Sequence, residues 1–341
     1  MANIVIGIAT CGRPQILAEA LAYMVNQTRM PDAIYLSPIE AEKDINLTGL
    51  PDAILQRVTV LSGPAGSSAQ RNTIINALSY DDIVLFLDDD FLMHPTYCEQ
   101  VLALFERNPE VGGHSGKVLA DGVNSGGIDI ADAITVLEGA KLPDEPIHWH
   151  HGTTYGCNMA FRASVLLDNH VRFDEQLPLY GWFEDLDFSA SVDRFAPVVN
   201  SNYCLGVHLG TKAGRSPGLR LGYSQVVNPW YLAKKGTMPW KLAVISILRR
   251  VIANTVRSIK PEPWVDRLGR LKGNLLGIKD LLTGKAHPAR ILEFAKKVWI
   301  LCLFHNPLDW IPIRYICSLA DNGVISACVL FLSFLGRLYI A

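Results

Sequence analysis

Apolar positions in the first half of the chain fall into short runs, spaced by stretches of helical periodicity. Asn3 to Ala9 (NIVIGIA) and Ile83 to Leu87 (IVLFL) are continuous, apolar and rich in β-branched residues. That pattern predicts parallel strands buried on both faces. Ala33 to Ser37 and Arg57 to Leu61 predict two further strands, and Gly156 to Arg162 another. Gln15 to Asn26, which follows Pro14, reads as a helix with proline at its start. Ala69 to Leu78 and the stretch near Tyr97 to Arg107 also read as helices, with a strand after Val111. The alternation of strand and helix predicts an α/β domain with a mostly parallel, doubly wound central sheet flanked by helices. Residues 120–151 are rich in Gly and Pro and predict long loops with short strands. Pro178 to Val192 predicts a turn running into a helix. Beyond Trp240 the pattern changes to apolar-basic helices, LAVISILRRVIANTVRSI and WVDRLGRLKGNLLGIKDLL.

The run Ile83 to Leu87 ends on three acids, Asp88, Asp89 and Asp90. The carboxyl edge of a central parallel strand is where open α/β sheets bind ligands. Three adjacent carboxylates are costly there unless a cation or hydrogen-bond donors offset them. The alternative is a solvated acidic turn.

Charge is divided unevenly along the 341 residues. Residues 1–210 hold 11 Lys and Arg against 27 Asp and Glu, whereas residues 211–341 hold 20 against 6. A basic second half fits an anionic membrane surface or nucleic acid. Its basic residues stand among aliphatic rather than polar and aromatic ones, and the acidic first half repels phosphate without a metal, so nucleic acid is not expected. The seven cysteines show no CxxC spacing, which predicts neither a zinc site nor a disulfide framework. The N-terminal MANIVIGIATCGRP reads as a strand and turn, without the basic start and cleavage pattern of a signal peptide.

The order of motifs carries more than any one of them. A strand ends in ATCGRP, a loop reads GSSAQRN, a strand ends in DDD, and GCNMAFR and GWFEDLDFS follow. Over roughly residues 3–235 this resembles the family 2 glycosyltransferases, enzymes of the GT-A fold that use nucleotide-diphospho-sugars. The later GTKAGRSPGLRLGYSQ and NPWYLAKKG look like bacterial members that build surface polysaccharides. The resemblance implies residues 1–235 as the catalytic domain and residues 236–341 as a helical C-terminal region.

It also implies roles. Asp90 matches the metal ligand of the family's DXD motif, and His208 a histidine that completes the metal site in some members. The implied ion is Mg²⁺ or Mn²⁺, hard cations that suit oxygen ligands. Thr10, Arg13, Arg71, Asp88 and Asp89 match the nucleotide-sugar pocket. In the ED motif Asp185 matches the catalytic base, with Glu184 orienting the acceptor. Asn158 and Trp182 are the further acceptor candidates, and Asp187 reads as structural. The family's usual acid after the second strand is replaced by Ser37, with Glu40 or Asp44 as possible substitutes. A UDP-sugar is the donor implied. Lys212, Arg215 and Arg220 form a basic loop suited to close over a diphosphate.

Arg249, Arg250, Arg257, Lys260, Arg267, Arg270 and Lys272 stand among Leu, Ile and Val, the composition of a helix lying on anionic lipid. The uncharged run Gly323 to Gly336 is shorter than the roughly 18–20 residues that a spanning helix needs. The expected partners are therefore a nucleotide-sugar, a glycan or lipid-linked glycan, and the cytoplasmic membrane surface. Rival readings are a nucleotidyltransferase, whose Gly-rich loop ATCGRPQ represents poorly, and a non-catalytic nucleotide-sugar-binding protein.

Overall fold

A computed structural model describes residues 2–212 and 217–294. Internal packing divides the chain into residues 1–291 and residues 292–341, and the first unit is described below. Its strands are β1 (Asn3–Thr10), β2 (Ala33–Pro38), β3 (Val58–Val60), β4 (Asp82–Leu87), β5 (Phe91–Met93), β6 (Gly113–Asp121), β7 (His148–His150), β8 (Asn158–Arg162) and β9 (Val198–His208). Its helices are α1 (Pro14–Tyr23), the short α2 (Ala41–Asp44) and α3 (Asp52–Leu55), α4 (Ser67–Ile75), α5 (Tyr97–Arg107), α6 (Ile130–Glu138), α7 (Ala163–Asp168), α8 (Glu184–Val192), α9 (Gly218–Lys235), α10 (Trp240–Arg257) and α11 (Arg267–Leu282).

The strands form one sheet in the order β3-β2-β1-β4-β8-β6-β9-β5, with β7 also on β9. The expected parallel arrangement holds for β3, β2, β1 and β4. Beyond β4 the sheet becomes mixed: β8 is antiparallel to both β4 and β6, and β5 and β7 are antiparallel to β9. The sheet is therefore mixed rather than mostly parallel. Strand pairing is fixed by long-range packing, and a five-residue apolar run such as β8 carries no local mark of its direction.

All six residues of β4 are buried. Ile83, Leu85 and Leu87 pack with Ile6, Leu17, Tyr97 and Phe105 on one face. Val84 and Phe86 pack with Ile74, Phe161, Phe173 and Phe188 on the other. Each fully buried phenylalanine contributes on the order of 2–3 kcal/mol of apolar burial. Layers on both faces explain why Ile83 to Leu87 holds no polar position between the buried Asp82 at the start of β4 and the acids at its end. Thr10 and Pro38 are register partners at the ends of β1 and β2, and Ile8 pairs with Leu87 of β4. The loops after all three strands therefore open at one edge.

Helix α6 occupies part of the region expected to be loops. Ile130, Ala133, Ile134 and Leu137 follow helical spacing, and Ala133 and Leu137 are buried against Leu92, Val207 and Leu209. Flanking Gly and Pro residues hide this short periodic stretch. Helices α9 and α11 approach closely because glycines face each other: a Cβ on Gly222 would lie 2.0 Å from Arg270 O, and one on Gly273 2.2 Å from Leu219 O. Asn274 Nδ2 donates to Gly222 O at 2.7 Å across this contact. Among the described residues no helix is long and apolar enough to cross a membrane. The run Gly323 to Gly336 and Cys302, Cys317 and Cys328 lie outside the described residues.

Candidate active site

The turn after β4 carries the three acids in three different environments. Asp89 and Asp90 are buried, whereas the Asp88 side chain keeps 34% of its exposure. Asp89 is consumed by the loop after β1: Thr10 Oγ1 donates to its Oδ2 at 2.8 Å and Arg13 Nη1 to its Oδ1 at 2.8 Å. Burial raises Asp89 to about 6 against the pull of Arg13. Thr10 and Arg13, expected at the nucleotide, thus hold the acidic turn. Arg13 Nη1 also lies 3.6 Å from Asp90 Oδ2.

Asp90 Oδ2 accepts the Thr211 N–H at 2.7 Å. Its other oxygen, Oδ1, is buried and, among the described residues, has no hydrogen-bond partner. His208 Nε2 sits 3.3 Å from that oxygen, without the alignment of a hydrogen bond, and 3.8 Å from Asp88 Oδ2. One ligand atom each from Asp88, Asp90 and His208 falls within a 4.8 Å cluster. Two carboxylates and an imidazole around an unsatisfied buried oxygen fit a divalent cation such as Mg²⁺ or Mn²⁺. Burial alone pushes Asp90 up, but His208, Arg13 and the Thr211 N–H outweigh it and bring it to about 2. Burial lowers His208, and the Asp121 and Asp90 carboxylates overcome that and raise it to about 10.

A second cluster lies beside Asp88. Arg71, in the middle of α4, is buried, bonds Glu184 in a tight ion pair, and reaches Asp88 Oδ1 at 3.2 Å. Ser67 Oγ donates to the same Glu184 oxygen at 3.1 Å. One guanidinium therefore faces a surplus of acid. Burial, aided by Asp185, raises Glu184 to about 7 although Arg71 opposes it. Asp185 is raised by burial too, opposed by the N–H groups of Leu186 and Gly156, which donate to Oδ1 at 2.8 Å and Oδ2 at 2.9 Å. The turn that delivers these acids is strained: Leu179, Gly181 and Phe183 all have positive φ, at 62°, 61° and 72°. It is tied to α4 by the Ser67 N–H donating to Leu179 O at 2.9 Å.

The remaining expected residues divide. Trp182 is partly exposed beside the acid pair, but the Arg250 guanidinium lies over its ring, 5.0 Å from the centroid. Asn158 does not reach an acceptor. It is fully buried in β8, accepts from Ser115 Oγ at 2.6 Å and donates to Gly116 O at 3.4 Å, so it braces β8 to β6. Asp187 accepts from Lys235 at 2.7 Å and Thr237 at 2.6 Å and is structural. Asp44 is spent on the backbone N–H groups of Gly12, Ile39 and Glu40, while Glu40 is exposed and pairs with Lys43. Both acids after β2 are thus engaged by other groups of the chain. Lys212 Nζ donates to Gly122 O and Val123 O, at 2.9 Å and 3.1 Å, and Arg215 lies outside the described residues.

Two residues at the site had no signal in the sequence. Asp121, the last residue of β6, accepts from His208 Nδ1 at 3.1 Å. Tyr155 donates its hydroxyl to Asp121 Oδ2 at 2.8 Å.

The family model described as glycosyl transferase family 2 matches residues 5–168, just under half of the chain. No curated protein matches the sequence. Solved structures that resemble the chain include TarS from S. aureus, at 15% identity and a TM-score of 0.42, covering 76% of this chain and 44% of that one. This chain thus spans less than half the length of that TarS. A shorter TarS, residues 1–349, gives 14% identity and a TM-score of 0.46, with 85% and 82% covered. A mannosyltransferase from Pyrobaculum calidifontis, in complex with GDP-Man and Mn²⁺, gives 15% identity and a TM-score of 0.46, with 96% and 86% covered.

Proposed function

We infer, from a chain whose residues 5–168 match the glycosyl transferase family 2 model, that this protein moves a sugar with inversion from a nucleotide-diphospho-sugar to a glycan hydroxyl. The observation that carries the reading is the convergence of Asp88, Asp90 and His208, with a buried Asp90 Oδ1 that accepts no hydrogen bond among the described residues. A divalent cation held by Asp88, Asp90 and His208 would supply positive charge to the departing diphosphate. Mg²⁺ and Mn²⁺ both fit this donor set. Arg71 extends the positive charge next to Asp88. Thr10 and Arg13 act through Asp89, fixing the turn on which the ligands stand.

Asp185 takes the proton of the acceptor hydroxyl. The hydroxyl oxygen attacks the anomeric carbon while the bond from that carbon to the diphosphate oxygen breaks on the opposite face. The two N–H groups on Asp185 fix its orientation and leave its second lone pairs for that proton. Burial keeps its basicity above that of an exposed aspartate. Glu184 sets Arg71, and Trp182 borders the acceptor side. A UDP-sugar is the first donor to test.

The acceptor is a glycan on a lipid carrier, in surface-polysaccharide synthesis, presented at the cytoplasmic membrane face. Support comes from the outer faces of α10 and α11. On α10 Ile252 and Val256 are 60% and 61% exposed, Ile259 just beyond its end is 86% exposed, and on α11 the exposed Leu268, Leu275 and Leu282 alternate with Lys272 and Lys279. Exposed aliphatics among cations fit anionic lipid better than water alone.

The test is calorimetric titration of the full chain with UDP, GDP and their sugars, with Mn²⁺ and with chelator, beside Asp90→Ala. Binding that needs both metal and Asp90 supports the reading. Metal-independent binding, or none, reduces the three acids to a structural turn.

A further inference from the structure

We propose that Asp121 and Tyr155 are positioning residues for the metal site, acting through His208. The inference rests on the metal reading above, and concerns residues that the DXD resemblance does not reach.

His208 has two ring nitrogens with different neighbours. Nε2 faces Asp90 Oδ1 and Asp88 Oδ2 at 3.3 Å and 3.8 Å, and Nδ1 lies 3.1 Å from Asp121 Oδ1. With a cation in place of the Nε2 proton, a hydrogen on Nδ1 shared with Asp121 would leave the Nε2 lone pair for the metal. Asp121 is itself held in place. Its Oδ1 accepts the Val123 N–H at 2.9 Å, and its Oδ2 accepts Tyr155 Oη at 2.8 Å. The edge of the Tyr155 ring meets the His208 imidazole, with centroids 6.1 Å apart and planes at 85°. The imidazole is therefore constrained in rotation, with Nδ1 kept toward Asp121 and Nε2 toward the two acids.

The backbone makes this arrangement deliberately. Strands β6 and β9 run parallel, and the ladder slips between Ser115 and Lys117 and again between Val118 and Ala120. After the two slips Asp121 is the register partner of His208. Bulges of this kind re-aim side chains at a sheet rim. The following turns are packed backbone to backbone: a Cβ on Gly122 would lie 1.9 Å from Leu209 O. Asp121 thus has little freedom to withdraw from His208.

The test measures free Mn²⁺ by electron paramagnetic resonance during titration of the full chain in the presence of UDP. Wild type, Asp121→Asn and Tyr155→Phe are compared, with melting midpoints recorded in chelator. Asparagine keeps an acceptor for Nδ1–H but removes the charge, and should weaken Mn²⁺ binding by about 10–100-fold. Tyr155→Phe should weaken it by a smaller factor, and both variants should melt near the wild-type temperature. Wild-type affinity in both variants overturns the inference while leaving the metal site standing. Loss of affinity in step with loss of metal-free stability also overturns it, because the role is then structural. If Asp121→Asn does not fold, Tyr155→Phe alone decides by the same criteria. No Mn²⁺ binding by wild type overturns the metal reading and this inference with it.

Discussion

Gly156 donates its backbone N–H to Asp185 Oδ2 at 2.9 Å, and a Cβ on Gly156 would stand only 3.2 Å from that same oxygen. The contact leaves room for the carboxylate in one position. Asp185→Asn should lower turnover by about 10²–10⁴-fold while donor binding is retained, because only the proton acceptor is lost. Gly156→Ala should also lower turnover, by pushing Asp185 aside, with a smaller effect on nucleotide affinity. Steady-state rates with calorimetric donor affinities check both. Unchanged turnover in Asp185→Asn removes it as the base.

The pKa of Glu184 sets a pH signature. Its folded pKa, about 7, lies above the ordinary value of 4.5 because of burial. Between those values the folded state holds a proton that the unfolded chain has released. This group's contribution to stability is therefore present in full below pH 4.5 and is lost as pH rises through about 7. The change is on the order of 1–3 kcal/mol. Glu184→Gln should flatten that part of the urea-midpoint profile between pH 5 and pH 8, relative to wild type. An unaltered profile means that Arg71 keeps Glu184 ionised throughout.

Asp187 provides the internal control for its neighbour Asp185. It is 1% exposed and bonded to Lys235 and Thr237. Lys235 retains Asp174 at 2.7 Å when Asp187 is changed. Asp187→Ala should therefore cost about 3 kcal/mol, the lower end for a broken buried pair. Turnover per folded molecule should stay at the wild-type level. Chemical denaturation and active-site titration separate the two quantities.

Reversing the charge on α11 should release the chain from anionic vesicles. Lys272→Glu with Lys279→Glu should abolish co-sedimentation with phosphatidylglycerol vesicles at low salt, and Ile252→Ser with Val256→Ser should weaken it. Neutral phosphatidylcholine vesicles should retain neither form. If wild type does not sediment with anionic vesicles, these faces cover something else.

The parts of the fold legible in the sequence were those fixed locally. The run before Asp88 had no polar position, and the structure buries all six residues of β4 between two helical layers. The span Tyr97 to Arg107 had clean helical spacing and is α5. The first half of strand β9 was hidden because Asn200, Ser201 and Asn202 interrupt its apolar run; Ser201 bonds His114 and Asn202 accepts from the Ile147 N–H, while Asn200 Oδ1 is buried with no hydrogen-bond partner among the described residues. Asp121 had no signal, because its partnership with His208 spans 87 residues and depends on two bulges. Asn158 misled for a related reason. A polar residue inside a motif looks available in the sequence, and only the β6 pairing shows that its amide is spent.

The glycine contact between α9 and α11 has a mechanical side. Helices that touch through their backbones, at Gly222 and Gly273, lack the side-chain layer that lets neighbours slide. Asn274 Nδ2, bonded to Gly222 O, closes the same contact. The α9 arm of the pair is fastened to the acid-bearing turn, where Asn228 Nδ2 donates to Trp182 O at 2.9 Å. Trp182, just ahead of the acid-bearing helix, is thus tethered to a helix pair whose spacing leaves no room for an added methyl group.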